Sequence, residues 1–122
     1  MTKALRIPEY LCHILNAIDR IGRYTSGMNE LEFLDNELVQ DAVIRNIEII
    51  GEASNNIQRV DAEFAAQHDD ILWLVMYTMR NRVSHGYDKI DLELVWRTLQ
   101  GNLPNLHAQI SALSASLLPA DN

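Results

Sequence analysis

Apolar residues recur at three- and four-residue steps along most of this chain, and this spacing limits its fold more than any other feature. Such steps place side chains on one face of an α-helix, whereas a strand alternates at every second residue. The longest series follows Asp91: Leu92, Val95, Leu99, Leu103, Leu106, Ile110, Leu113 and Leu117. Pro104 lies inside it, so residues 101–104 are expected to form either a kink or the junction of two abutting helices.

Two earlier series have the same helical spacing. The first follows Pro8, which suits the first turn of a helix, and it ends near Gly22. The second runs from Glu37 to about Ile57. Gly51 lies inside this second helix, where glycine is about 1 kcal/mol less favourable than alanine. We therefore expect Gly51 to permit the close approach of another helix or of a substrate backbone.

Two further segments complete the predicted core. The segment "NELEFLDN" is predicted to be a short helix or turn that closes one end of the core through Leu31, Phe33 and Leu34. The segment "DDILWLVMYTMRNRV" begins with two acidic residues that suit a helix start, and it is apolar nearly all round, so it must be covered on several sides. Its Trp73 and Tyr77 form a separate stripe, which indicates either a homodimer surface or burial within the chain. A four- to five-helix bundle follows.

Length and composition favour one domain that spans residues 1–122. The chain has 122 residues, 48% of them hydrophobic, which suffices for one packed core. Cys12 is the only cysteine, so no intrachain disulfide can form, and an inert core thiol in a reducing compartment is expected. No signal core or membrane-length apolar run is visible. We expect a cytoplasmic protein without membrane contact.

The net charge of -7 argues against nucleic-acid binding through general positive charge, which needs many Lys and Arg contacts to phosphates. Basic residues cluster only in the stretch "MRNRVSHGYDKID", at Arg80, Arg82 and Lys89. One interpretation is a solvated helix end, where cations complement the carbonyl end of the helix dipole. Because the rest of the chain is acidic, any RNA or DNA chemistry is expected to be local to this stretch.

Arg80 and His85 are the candidate catalytic pair. On a continuous helix they would lie about 140° apart around the axis. Gly86 favours ending the helix near Val83 or Ser84, which would let His85 turn back toward Arg80. Arginine grips a phosphate through two parallel hydrogen bonds, and histidine transfers protons near neutral pH. The pair suits RNA cleavage without a metal ion, although a helix cap remains the alternative.

Neighbouring polar residues could support this chemistry. Asn81 could orient the phosphate or the histidine, and Tyr87 could hydrogen-bond a phosphate or stack on a base. Arg45 and Glu52 are seven residues apart and share a helical face, which predicts a helix-surface or intersubunit polar pair, or a supporting role near the candidate catalytic pair. Cys12 and three histidines have no metal-ligand spacing, so no metal or other cofactor is expected: His13, His68 and His107. The chain also lacks the glycine loop and paired aspartates of a nucleotidyltransferase.

The stretch "RNRVSHGY" resembles the R-x4-H-x-Y signature of the HEPN ribonuclease superfamily, in its HepT-like branch. The segments "YLCHILNAIDRIGRYT", "QDAVIRNIEIIGEASNNI" and "VWRTLQGNLPNLHAQI" resemble successive helices of that branch, so nearly the whole chain is covered. The resemblance implies an all-α HEPN-type bundle. It also implies a homodimer in which the two copies of the signature face each other across a shared cleft.

The resemblance further implies the toxin of a type VII HEPN/MNT toxin-antitoxin system, an endoribonuclease that cleaves RNA. Arg80 and His85 would be catalytic, and Asn81 matches the polar position after the arginine. Tyr87 matches the tyrosine that an MntA-type minimal nucleotidyltransferase antitoxin modifies with AMP. Arg82 stands where the family often has an apolar residue, so it either adds phosphate affinity or is merely solvated. The alternatives are a non-catalytic nucleotide- or substrate-binding subunit of a nucleotidyltransferase complex, and an interaction-only helical protein.

Overall fold

The computed structural model describes residues 3–84 and 91–117, with side chains from 6 to 81 and from 91 to 117. These residues form four long helices and two short ones, and no β-strand occurs in the two ranges. The all-α bundle is therefore confirmed, with six helices instead of four to five. In chain order they are α1 (Lys3–Tyr24), α2 (Glu30–Leu34), α3 (Glu37–Val60), α4 (Ala62–Gln67), α5 (Trp73–Ser84) and α6 (Leu92–Ser116).

Helix α3 is the centre of the bundle. It packs against α1 and α5 and contacts both short helices, while α6 packs against α1 and α2. The apolar faces predicted for the first, second and last helices meet in one core, because their periodic positions are the buried ones. The largest fully buried apolar side chains are Phe33, Leu11, Ile14, Ile57, Ile110, Val43 and Val95.

Helix α1 departs from two expectations. It begins at Lys3, so Pro8 lies inside the helix and the prediction that it occupies the first turn is wrong. The residues between Lys3 and Pro8 include several strong helix formers, which allow the helix to begin more than a turn earlier. Cys12 is exposed, not part of the core, because it follows the buried Leu11 by about 100° around the helix.

Helix α2 is fixed at its start by a capping box. The Asn29 side chain accepts a hydrogen bond from the Glu32 backbone N–H at 2.8 Å, and the Glu32 carboxylate accepts one from the Asn29 N–H at 2.9 Å. Phe33 is fully buried, with its ring 5.3 Å from that of Trp96. Leu31 is 77% exposed. The expectation that Leu31 helps close the core is therefore wrong, because this short helix buries only one face.

The connection from α3 to α5 contains the unexpected helix α4, whose N-terminus is capped by the Asp61 side chain through the Phe64 N–H at 3.1 Å. Asp69 and Asp70 lie in the following turn, and α5 begins only at Trp73. The expectation that the two aspartates start the helix is wrong. The Trp73 indole is buried and donates to the Ala65 carbonyl at 3.2 Å, which ties the start of α5 to α4.

The α5 stripe that contains Trp73 and Tyr77 follows the second of its two predicted alternatives, burial within the chain. Trp73 is 3% exposed and Tyr77 is half-buried, so this stripe is covered within the chain. Leu72, just before the helix, is 57% exposed, and Leu74 and Val75 in its first turn are 63% and 57% exposed. The prediction that several sides are covered is therefore wrong for this chain alone. Helix α5 presents apolar side chains to solvent.

Helix α6 is one continuous helix with Pro104 inside it, so the alternative of two abutting helices is excluded. Asp91 caps its start by accepting a hydrogen bond from the Leu94 N–H at 3.0 Å. The predicted face is buried from Val95 to Leu113. Within the two described ranges, no helix is long and apolar enough to cross a lipid bilayer.

Candidate functional site

The predicted site residues fall at the end of α5 and just beyond it. Arg80 and Asn81 lie near the end of the helix, and the structure describes both side chains. Arg82 also lies in the helix, but its side chain is not among the described ones. The remaining members of the predicted cluster lie outside the described residues: His85, Gly86, Tyr87 and Lys89. The approach of His85 to Arg80 therefore stays a prediction, and the surroundings of Arg80 carry the structural argument.

Arg80 lies directly against the backbone of α3 at Gly51. A Cβ atom added at Gly51 would overlap the Cβ of Arg80, and it would lie 2.9 Å from both the Arg80 Cγ and the Met76 carbonyl oxygen. Only glycine fits at such a separation, because a Cβ needs more room than these atoms leave. The expectation that Gly51 permits the close approach of another helix is confirmed.

Two side chains hold the guanidinium group of Arg80. Its Nη2 lies 3.5 Å from Oε2 of Glu52 on α3, and its Nη1 donates to Oδ1 of Asn81 at 3.0 Å. The Arg80 side chain is 28% exposed and that of Glu52 is 49% exposed, so the charged end of the arginine reaches solvent. Helix packing thus fixes the stem of Arg80, while Glu52 and Asn81 orient its head.

A count of donors shows what Arg80 can still bind. A guanidinium has five N–H donors, of which the Nε–H is buried without an acceptor among the described residues. One N–H is used toward Asn81 and one toward Glu52. Each terminal nitrogen therefore keeps one N–H that can donate to an oxygen of a phosphate or carboxylate. The arrangement can bind an oxyanion without releasing either partner.

A polar groove of about 420 Å³ runs beside Arg80 between α1 and α3. Its lining side chains are His13, Arg45, Glu48, Ile49, Glu52, Ala53, Asn56 and Arg80. Arg45 and Glu52 share this groove, as their common helical face predicted, but the ion-pair partner of Glu52 is Arg80. Seven residues of helix separate Arg45 from Glu52 by about 10 Å along the axis, which is too far for a direct pair.

Sequence reasoning missed His13 and Asn56 as members of this groove. Asn56 follows Glu52 by four residues, and this spacing on one helix could have revealed that the two side chains are neighbours. His13 comes from α1, and nothing in its own sequence neighbourhood indicates that it faces α3. Only the packing of the two helices brings it to the groove.

A second groove, of about 410 Å³, separates α5 from α6 and is mainly apolar. Its lining includes Leu72 just before α5, Val75, Met76 and Met79 on α5, and Ile47 and Ile50 on α3. Met76 precedes Arg80 by one helical turn. The exposed apolar face of α5 and the candidate arginine therefore belong to the same helix.

His107, Asp19 and Ser111 form a separate polar row between α1 and α6. Nε2 of His107 lies 3.0 Å from Oδ1 of Asp19, and the Ser111 Oγ lies 3.4 Å from Nδ1 of the same ring. The order of groups resembles a hydrolytic triad, but Ser111 lies inside α6, where backbone N–H groups are used in the helix. The helix therefore offers no free backbone N–H at Ser111 for an oxyanion hole, and we interpret the row as a link between two helices.

Comparison with known proteins gives one consistent family. The family model described as "Ribonuclease HepT-like" matches residues 14–113. A "Probable ribonuclease HepT" from Thermococcus cleftensis is 36% identical over 105 residues, which cover 86% of this chain and 93% of that protein. "Putative RNase MJ1380" from Methanocaldococcus jannaschii is 30% identical over 104 residues, which cover 85% of this chain and 93% of that protein.

A longer relative contains a segment similar to this chain. "Gamma-glutamylcyclotransferase and putative RNase MJ0434" from Methanocaldococcus jannaschii is 37% identical over 117 residues, which cover 96% of this chain. The chain spans only half the length of that relative. No solved structure matches the chain.

Proposed function

Because this chain belongs to the HepT-like ribonuclease family, we propose that it is a metal-independent endoribonuclease in which Arg80 and His85 act on one phosphate of RNA. The observation that carries the proposal is the placement of Arg80. Its guanidinium is oriented by Glu52 and Asn81 and keeps one N–H on each terminal nitrogen. Charged N–H donors of this kind bind phosphodiester oxygens strongly.

The proposed reaction is an internal transfer at phosphorus. The 2′-oxygen of one nucleotide attacks the adjacent phosphorus, and the bond from phosphorus to the 5′-oxygen breaks. Arg80 stabilises the extra negative charge on the phosphoryl oxygens during the attack. His85 either takes the proton from the 2′-hydroxyl or gives one to the leaving 5′-oxygen, with water completing the other transfer. The products are a 2′,3′-cyclic phosphate and a 5′-hydroxyl.

The other signature residues are given supporting roles. Asn81 accepts a hydrogen bond from Arg80, so it orients the arginine, not the substrate directly. Arg82 adds positive charge beside the same phosphate. Tyr87 contacts the RNA through its hydroxyl or ring, and it is also the proposed acceptor of AMP.

We place this activity in a homodimer. The exposed Leu72 and Val75, together with the apolar groove between α5 and α6, support an interface on this face, since an apolar patch of this kind is usually covered. A twofold axis near α5 would bring two copies of Arg80 toward one cleft. The positive charge of the signature would then be concentrated there, while the rest of the acidic surface repels RNA.

Regulation follows from the chemistry of Tyr87. In the proposed toxin-antitoxin system, an MntA-type nucleotidyltransferase antitoxin transfers AMP to the Tyr87 hydroxyl. The added group is bulky and carries a phosphate, so it would fill the cleft and compete with RNA for Arg80. Modification of this kind would silence the nuclease without unfolding it.

The test is to incubate the purified protein with single-stranded RNA in the presence of EDTA and to analyse the fragment ends. We expect fragments with 2′,3′-cyclic phosphates and 5′-hydroxyls. RNA that is bound but stays intact would contradict the proposal, and it would favour a non-catalytic nucleotide-binding subunit of a nucleotidyltransferase complex.

A further inference from the structure

The polar groove between α1 and α3 extends well beyond Arg80, and its far end carries a second arginine. We propose that Arg45 binds a flanking phosphate of the RNA strand, so that this groove is a substrate subsite next to the scissile phosphate. The inference rests on the proposed function, because it takes Arg80 as the residue that binds the scissile phosphate.

Arg45 is available for a ligand. It is exposed, it lines the groove, and it has no ion-pair partner among the described residues. Arg80, by contrast, is held by Glu52 and Asn81. On a chain with a net charge of -7, an arginine that pairs with no described carboxylate and shares a groove with the candidate catalytic arginine is a place for a phosphate.

The helix geometry indicates which phosphate Arg45 would bind. Arg45 lies on the same face of α3 as Glu52, about 10 Å away along the axis, and Glu52 contacts Arg80. Side chains on a helix lean toward its N-terminus, so the Arg45 side chain leans away from Glu52. The two arginines are therefore placed for different phosphates of one strand. RNA lying along α3 would contact both.

The other groove residues favour RNA over a general polyanion. Glu48 and Glu52 lie between or beside the two arginines, and Asn56 extends the polar face beyond Glu52. The amide oxygen of Asn56 can accept a hydrogen bond from a 2′-hydroxyl or from a base amino group. A uniformly acidic or basic ligand fits such a mixed surface poorly. The groove suits a strand that alternates phosphates with hydroxyl and amino donors.

The wall opposite α3 is α1, which contributes His13. Its ring lies 6.2 Å from that of Tyr10 in an edge-to-face arrangement, so the wall beside the groove contains aromatic surface. Imidazole rings and phenol rings are surfaces on which unstacked RNA bases can lie. The subsite thus has Arg45 among the polar side chains of α3 on one side and the His13 ring of α1 on the other.

The experiment measures binding without cleavage. The full-length His85→Ala protein is titrated with a fluorescently labelled single-stranded RNA at several salt concentrations, with and without Arg45→Gln. We expect Arg45→Gln to raise Kd about fivefold at low salt and to reduce the slope of log K against log salt by about 0.7. Arg97→Gln is the matched control, because Arg97 is also an exposed helix arginine but lies on α6 outside this groove.

Kinetics on the otherwise unchanged protein give a second measurement. Arg45→Gln should raise KM about fivefold and leave kcat within about twofold, since the flanking phosphate takes no part in the reaction. If the wild type cleaves RNA but Arg45→Gln and the Arg97→Gln control have the same Kd, KM and salt slope, the subsite is overturned. The proposed nuclease then remains intact. The reverse result, an Arg45 effect on binding without any cleavage by the wild type, would overturn the nuclease and keep the subsite.

Discussion

Gly51 and Arg80 meet across the contact of α3 with α5 so closely that a methyl group at Gly51 would overlap the Cβ of Arg80. The position of the candidate catalytic arginine is therefore set by helix packing at its stem. Its charged end is oriented separately, by Glu52 and Asn81. These two levels of control can be tested independently.

Gly51→Ala tests the packing. Alanine is favoured over glycine by about 1 kcal/mol in a helix, but the overlap with Arg80 and with the Met76 carbonyl forces a shift that costs about 1–3 kcal/mol. We expect a net loss of about 1 kcal/mol in the free energy of unfolding, measured in urea, and slower RNA cleavage. Gly101→Ala is the control, because no atom lies within 4 Å of a Cβ there. It should stabilise α6, and equal stabilisation by both changes would contradict the account.

Glu52→Gln tests the orientation of the guanidinium. Both partners of the Glu52–Arg80 pair are partly exposed, so the pair should contribute less than about 1 kcal/mol to stability. Loss of the carboxylate frees the Arg80 head, and we expect single-turnover RNA cleavage to slow about tenfold. Affinity for RNA should not weaken, since a negative charge leaves the groove. Glu63→Gln, an exposed change on α4, is the control; unaltered cleavage in both variants would show that Glu52 does not position Arg80.

Val75→Glu tests the proposed dimer face. Val75 is 57% exposed and lines the apolar groove between α5 and α6. A buried, unpaired carboxylate at an interface is strongly unfavourable, so the variant should sediment as a monomer. Leu38→Glu is the control, because it also replaces an exposed apolar residue with glutamate. Leu38 is 80% exposed and does not line this groove. A dimer that persists in Val75→Glu, or one that is lost equally in both variants, would argue against this face.

Much of the bundle could be predicted because its long helices each bury a periodic apolar face. The spacing of Val43, Ile47, Ile50 and Ile57 gives the central helix and its orientation. The short helices are harder to predict, because one turn contains too few positions for a period to appear. Helix α4 was not predicted, and in α2 the spacing did not distinguish the exposed Leu31 from the buried Phe33.

The candidate site was predictable to a similar extent. An interior glycine is unfavourable in a helix, and this local rule indicated the close approach at Gly51. The partner of Glu52 depends on a contact between α3 and α5, and a periodic pattern on one helix cannot identify which residue of another lies opposite it. For the same reason the pattern of α5 did not reveal that the stripe with Trp73 faces inward and that Val75 faces solvent.

The most direct test of the central claim is single-turnover cleavage of end-labelled RNA in EDTA by the wild type, Arg80→Ala and His85→Ala. Arg59→Ala is the control, as an exposed arginine elsewhere on α3. The account predicts that the control cleaves like the wild type, whereas each of the other two variants is slower by at least about 100-fold, because each loses one group that acts in the transition state. Cleavage at the wild-type rate by Arg80→Ala or by His85→Ala would contradict it.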